Sequence, residues 1–250
     1  MGIALAVVLV CACAPAQWIR TNGPYGGYVH AFAANDTNLF AATYGSGVFH
    51  STNHGNSWTP ASTGLTNRGV NTLAFSGTNL FAGTEGDDVF LSTNNGESWT
   101  AVSTGLTNQY IYALAVSGTN LFAGGGGVFL STNNGTSWSA VTTGLPTGYD
   151  VRALAVSGTN LFAGTSGNGV FLSTDNGTNW TPANAGLERA SVYALAISGT
   201  NLFAGTWGSG VFLSTDNGTS WSSASTGLVS TCIVALAISG TNLYAGASPS

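Results

Sequence analysis

An all-β fold built from repeated four-stranded antiparallel units is predicted by three observations. One eight-residue phrase occurs five times, as STNHGNSW (51–58), STNNGESW (92–99), STNNGTSW (131–138), STDNGTNW (173–180) and STDNGTSW (214–221). It places Trp58, Trp99, Trp138, Trp180 and Trp221 at a period of about 41 residues. A second phrase alternates with it, from TLAFSGTNLFAGT to ALAISGTNLYAGA, with AFAANDTNLFAAT as a diverged first copy. Both read as short apolar runs punctuated by turn residues, and nothing after the first 16 residues offers a capped helical period. Four antiparallel strands in roughly 40–45 residues is the pattern of a β-propeller blade.

Each element of the unit follows from local chemistry. In the fifth copy, Val192 to Ile197 is a first strand, Ser198-Gly199-Thr200-Asn201 a turn, Leu202 to Ala204 a second strand and Val211 to Ser214 a third, with the fourth starting at Trp221. Between the third and fourth the chain must reverse. Asp216, or Asn133 in an earlier copy, can cap backbone N–H groups there as an Asx turn, Gly218 or Gly135 supplies positive φ, and the Trp buries a large ring. The predicted blades span 28–63, 70–104, 111–144, 151–186 and 192–226, within a propeller domain covering 17–250. A partial sixth, 233–250, is joined by a strand at 17–23 whose Trp18 stands before the first blade as Trp58 stands before the second. The chain thus reads as five full blades of a longer protein; the alternative is a six-bladed ring with an incomplete closing blade.

The S-x-D-x-G-x-x-W phrase resembles the Asp-box, or BNR, repeat of sialidases, sortilin-type receptors, photosystem II assembly-factor propellers and exported bacterial surface proteins. The resemblance covers almost all of the chain after residue 16. Asp175 and Asp216 keep the pattern, whereas Asn53, Asn94 and Asn133 replace the Asp with a residue able to make the same turn. The tight tandem form is most similar to exported bacterial proteins that carry a C-terminal sorting domain. The turn chemistry and the buried Trp give the phrase a structural role, so no metal or cofactor is assigned to it; STNNGTSW has too few acidic oxygens for a Ca²⁺ loop.

Composition narrows the partners. Charged residues are 5% of the chain against about 25% in an average domain, and the net charge is −5, with Arg20, Arg68, Arg152 and Arg189 as the only strong cations. That leaves no basic stripe for nucleic acid. Residues 1–16 are apolar and end in Ala14-Pro15-Ala16, the small-x-small pattern of a cleaved signal peptide, and are too short for a comfortable membrane span. A lipid anchor at Cys13 is the alternative processing route. Cys11 and Cys13 leave with that segment, so Cys232 has no disulfide partner in the mature chain; it occupies the place of Ser191 in the preceding copy.

The resemblance to sialidases would imply an arginine cluster, a Tyr–Glu pair and an Asp acid, and the four Arg residues here lie in no such context. Carboxylates left for a glycosidase pair are Glu85, Asp87, Asp88, Asp150 and Glu188, and His30, His50 and His54 have no recurring Ser or Cys partner. GGGG at 124–127 has no following helix or Lys and is a shortened turn rather than a phosphate loop. Comparing the copies points instead to binding. The turns between second and third strands and the loops joining blades share one end of the sheets and vary freely, presenting Tyr44, Arg68, Glu85, Gln109, Tyr110, Tyr149, Asp150, Glu188, Arg189 and Trp207. Aromatic and charged side chains on a Ser/Thr/Gly surface suit recognition of a protein or glycan. The expectation is an exported, secreted or cell-surface bacterial module without catalysis; the alternatives are a divergent glycoside hydrolase and a structural stalk.

Overall fold

The computed structural model describes residues 23–25, 27–86, 88–106 and 110–248. The predicted signal segment 1–16, the strand predicted at 17–23 apart from Gly23, and Asp87 and Gln109 lie outside the described residues. Five four-stranded antiparallel sheets follow one another in chain order. The first holds β1 (Tyr28–Asn35), β2 (Asn38–Tyr44), β3 (Gly47–Ser51) and β4 (Thr59–Pro60), and the second β5 (Val70–Ser76), β6 (Asn79–Thr84), β7 (Val89–Ser92) and β8 (Thr100–Ala101). The third holds β9 (Ala113–Ser117), β10 (Asn120–Gly124), β11 (Val128–Ser131) and β12 (Ser139–Ala140). The fourth holds β13 (Val151–Ser157), β14 (Asn160–Thr165), β15 (Val170–Ser173) and β16 (Thr181–Pro182), and the fifth β17 (Val192–Ser198), β18 (Asn201–Thr206), β19 (Gly210–Ser214) and β20 (Ser222–Ser223). A sixth sheet has two strands, β21 (Ile233–Ser239) and β22 (Asn242–Ala247). These are the blades of a β-propeller with a partial sixth. The chain divides into two compact units, Met1–Leu114 with Gly135–Ser137, and Ala115–Asn134 with Trp138–Ser250.

Tight turns set the register. Ser198 pairs with Asn201 across Gly199-Thr200, and Gly199 at φ 59° supplies the left-handed first position that a two-residue type II′ hairpin requires. The second strand of each four-stranded sheet is sandwiched between its neighbours, so NLFAGT is buried on both faces from Leu161 to Thr165 in β14. Within the first unit Phe40 and Leu80 pack with Val48, Val70, Phe90 and Trp99; within the second, Phe162 packs with Val192, Leu202, Ala204 and Trp221. Each fully buried Phe contributes about 1.5–3 kcal/mol, so the repeated phrase is mainly a core-building device.

The turns of the eight-residue phrase make the hydrogen bonds that the sequence chemistry implies. Asp216 Oδ1 accepts from the backbone N–H of Ser220 at 2.9 Å and from Ser214 Oγ at 2.7 Å, while Ser214 Oγ accepts from Gly218 N–H at 2.8 Å. Asn53 and Asn94 make the same turn, Oδ1 accepting from Ser57 N–H at 2.9 Å and from Ser98 N–H at 3.0 Å. Two consecutive left-handed residues make the reversal: Asn217 at φ 56° and Gly218 at φ 82°, with His54 at φ 57° filling the Asn place in the first box. The fourth strand starts later than predicted. It starts one residue after the Trp, because the Trp221 N–H leaves the ladder and donates to the Ala185 carbonyl at 2.9 Å in the loop before the fifth sheet.

Candidate binding face

Strand order places the hairpin turns and the boxes at one end of every sheet, and the turns from second to third strand, with the loops between sheets, at the other. At that second end the backbone ties each turn to the loop leading into the next sheet. Gly45 and Gly47 both donate to the Arg68 carbonyl at 3.0 Å, Gly169 to Ala190 at 3.0 Å, and Gly208 and Gly210 to Thr231 at 3.0 and 2.9 Å. Isolated bridges pair Tyr44 with Gly69, Ser166 with Ser191 and Trp207 with Cys232, which establishes that Tyr44, Ser166 and Trp207 hold equivalent places. Main-chain bonds hold these turns and leave the Tyr44 and Trp207 rings exposed, whereas Ser166 Oγ accepts from the Asp150 N–H at 3.0 Å.

In the second unit four side chains at this end, Asp150, Arg152, Tyr193 and Trp207, meet in one chain of contacts, with Tyr149 beside them in sequence. Arg152 sits at the register shift between Val151 and Ala153, and its Nη2 donates to Asp150 Oδ2 at 2.7 Å. Its guanidinium lies 5.6 Å from the centroid of the Tyr193 ring, and Tyr193 lies 5.5 Å from the Trp207 ring at 37°. Tyr149 covers Gly167, where a Cβ would come within 2.8 Å of the tyrosine ring. Trp207 remains 50% exposed and Tyr149 40%. A partly exposed ion pair contributes only about 0–1 kcal/mol and an exposed cation–π contact about 0.5–1 kcal/mol, so this chain of contacts orients the groups more than it stabilises the fold. It presents aromatic faces beside a fixed cation and a carboxylate.

The first unit has a looser counterpart. His30 lies 5.7 Å from the exposed Tyr44 ring and 3.1 Å, Nδ1 to Oδ1, from Asn71; Tyr110 and Tyr112 stack at 6.0 Å. The other sequence candidates stand apart. Arg68 is exposed and serves through its carbonyl, and Glu85 extends the β5–β6 pairing through its N–H to Gly69. Glu188 Oε1 accepts from Gly186 N–H at 3.0 Å, which holds its pKa below the ordinary value, while Arg189 is exposed beside it.

Sequence reasoning passed over Arg152, Tyr193, His30, Asn71 and Tyr112. In the five copies where the register shift is seen, the residue it skips is His30, Asn71, Arg152, Tyr193 or Val234. The signal was present: in VHAFAA, VNTLAF, IYALAV, VRALAV, VYALAI and IVALAI the second residue changes chemical class from copy to copy, whereas the other positions, Thr72 apart, stay apolar. A bulge there re-aims the side chain without disturbing the apolar face on either side. Among the described residues no group of three or more His, Cys, Asp or Glu side chains is placed to hold a metal ion, and no helix is long and apolar enough to cross a membrane.

Solved structures share this architecture. The extracellular domain of the one-component system BT4673 from B. thetaiotaomicron matches with a TM-score of 0.75 at 17% identity, covering 92% of this chain and 33% of that one. An ancestral GH74 enzyme matches with a TM-score of 0.67 at 25% identity, over 86% of this chain and 33% of the enzyme. PorZ, a surface component of the type-IX secretion system of Porphyromonas gingivalis, matches with a TM-score of 0.67 at 15% identity, over 90% of this chain and 39% of PorZ. The chain thus spans about a third of the length of the first two. Comparison with curated protein sequences gives no match. The family profile of the DUF6242 β-propeller domain matches residues 107–233, from the loop before the third sheet to the start of β21. With that match spanning just over half its length, on a fold of five complete blades, the chain belongs to the DUF6242 β-propeller domain family.

Proposed function

We propose that the chain is a non-catalytic binding module at the cell exterior, and that the Tyr149–Asp150–Arg152–Tyr193–Trp207 cluster is its recognition surface. The observation that carries this reading is the contact chain from Asp150 through Arg152 and Tyr193 to Trp207, which spends three exposed or half-exposed large side chains on no core. Exposed aromatic rings held beside an arginine are the side chains that dominate binding energy at protein interfaces. The favoured ligand is a protein segment, with a surface glycan as the other class that stacks on such rings. An external location is supported by the extracellular and surface proteins that share the fold.

A glycoside hydrolase is the second reading, favoured by the 25% identity to a GH74 enzyme. Against it, the carboxylates displaced from their ordinary pKa, Asp175, Glu188 and Asp216, are all displaced downward, away from the protonated state a general acid needs. The test is selection from a displayed random peptide library and from a glycan array, repeated with Trp207→Ala and Arg152→Ala. Ligands retained by the wild type and lost by both variants support the reading. Ligands bound equally by all three would overturn the site, and turnover of a fluorogenic glycoside abolished by Asp150→Asn would overturn the non-catalytic assignment.

A further inference from the structure

Asn-Gly stands in the last four copies of the eight-residue phrase, at 95–96, 134–135, 176–177 and 217–218, where the first copy has His54-Gly55. The pair is chemically self-reactive. The Gly backbone nitrogen, once its proton passes to a solvent base, can attack the Asn side-chain carbonyl carbon; the bond to the side-chain nitrogen breaks, ammonia leaves and a cyclic imide remains. One water then opens the imide at either carbonyl. The products are aspartate, or isoaspartate, in which the main chain runs through the former side chain and gains one atom. Glycine favours the attack because no Cβ crowds its nitrogen.

In the second, fourth and fifth copies the turn holds that nitrogen. The N–H groups of Gly96, Gly177 and Gly218 donate to Ser92, Ser173 and Ser214 Oγ, each at 2.8 Å. Asn95, Asn176 and Asn217, at φ 54–56°, are exposed, whereas the three glycines are buried. What buries each glycine comes from the preceding sheet: a Cβ would meet Phe40 and Ala61 at Gly96, Val141 at Gly177 and Ala183 at Gly218. The tryptophan that ends each phrase closes the same joint, since Trp99, Trp180 and Trp221 donate their indole N–H to the carbonyls of Ala61, Val141 and Ala183 at 2.8, 2.8 and 2.9 Å. The amide side chain stands in water while the nucleophile is sealed beneath a contact between sheets.

We propose that Asn95, Asn176 and Asn217 are sites of spontaneous deamidation gated by these joints: they stay amides while the joint is closed and pass to aspartate or isoaspartate when it opens. A Gly N–H that donates to a serine under the neighbouring sheet is shielded from the base that must take its proton. Reaction therefore passes through the open form, and its rate follows the population of that form. Aspartate still fits the turn, because Asp tolerates the left-handed conformation. Isoaspartate does not, since the added main-chain atom displaces Gly218 from Ser214 Oγ and the Ser220 N–H from Asp216 Oδ1. A joint that stays open long enough to react cannot close again on its original turn, so each phrase keeps an irreversible record of opening.

The test ages the full chain beside the peptide FLSTDNGTNW, the sequence of residues 171–180, in neutral buffer made with heavy-oxygen water, and reads label uptake at each Asn by mass spectrometry of pepsin fragments. Uptake at the three sites is expected to be at least about tenfold slower in the folded chain than in the peptide, and to reach the peptide's rate in urea. Trp180→Phe, which removes the hydrogen bond to Val141, is expected to speed Asn176 at least about fivefold and to leave Asn95, in the other unit, unchanged. Ser173→Ala, which releases the Gly177 nitrogen without touching the tryptophan, is expected to act in the same direction at Asn176 alone. Folded-chain rates equal to the peptide's, an Asn176 rate indifferent to both substitutions, or equal acceleration of Asn95 by Trp180→Phe would overturn the proposal.

Discussion

The indole nitrogen of Trp180 donates to the carbonyl of Val141, 2.8 Å away on the preceding sheet, and the ring that carries it is 3% exposed. Trp180→Phe keeps most of the buried area but leaves that carbonyl without its donor, a loss of about 1–3 kcal/mol. Trp180→Ala adds a cavity and is expected to cost about 3–5 kcal/mol. Urea unfolding of the two variants checks both the order and the gap between them.

Acid acts on two boxes and spares others. The Asp216 carboxylate accepts from the Ser220 side chain at 2.6 Å, from the Ser220 N–H and from Ser214 Oγ, which lowers its pKa from 3.8 to about 2. Asp175 is lowered in the same direction, first by the Asn179 side chain. A depressed folded pKa means that the contribution is complete above pH ~4 and is lost as pH falls toward ~2. Asp216→Asn is expected to fold normally, as the Asn53 box does, and to lose less stability than the wild type between pH 5 and 2.5, measured by urea midpoints.

His50 stands in a strand where Leu91, Leu130, Leu172 and Leu213 hold the same place. It stacks on Phe40 at 4.5 Å and bonds Asn38 at 2.8 Å, and desolvation lowers its pKa below 6.5. The neutral imidazole is the form that fits, so its contribution is present above pH 6.5 and lost as pH falls through the lowered value. His50→Leu is expected to add about 0.5–2 kcal/mol and to flatten the dependence of Tm on pH between 7.5 and 5.

Trp207 and Tyr44 are 50% and 47% exposed. Trp207→Ala and Tyr44→Ala are therefore expected to leave stability within about 0.5 kcal/mol of wild type in thermal unfolding. A larger loss in either variant would make that ring structural.

The fold was legible because one repeat encodes it five times. Period-two strands, the SGTN turn and the Gly of each box all specify a single local conformation, and the strands fell where those signals put them. The start of the fourth strand was less legible, since whether Trp221 joins the ladder depends on the Ala185 carbonyl, 36 residues away in sequence. The face was half legible. Tyr149, Asp150 and Trp207 announced themselves as loop variation, but Arg152 and Tyr193 lie inside strands whose alternation hides them, and the bulge that re-aims such residues has no local sequence mark of its own. Glu188 and Arg189 share that end of the sheets without joining the cluster, since position in a loop does not fix where a side chain is spent.

The fourth strands are two residues long, and two of them, Thr59–Pro60 and Thr181–Pro182, end in a residue without an N–H. Soluble β-proteins commonly guard such margins with lysine, and this chain has none. Brevity replaces charge: a two-residue margin offers too little ladder to template cross-β growth, whatever the ionic strength. With charged residues only 5% of the chain, the protection of these margins rests on their shortness rather than on charge repulsion that salt would screen.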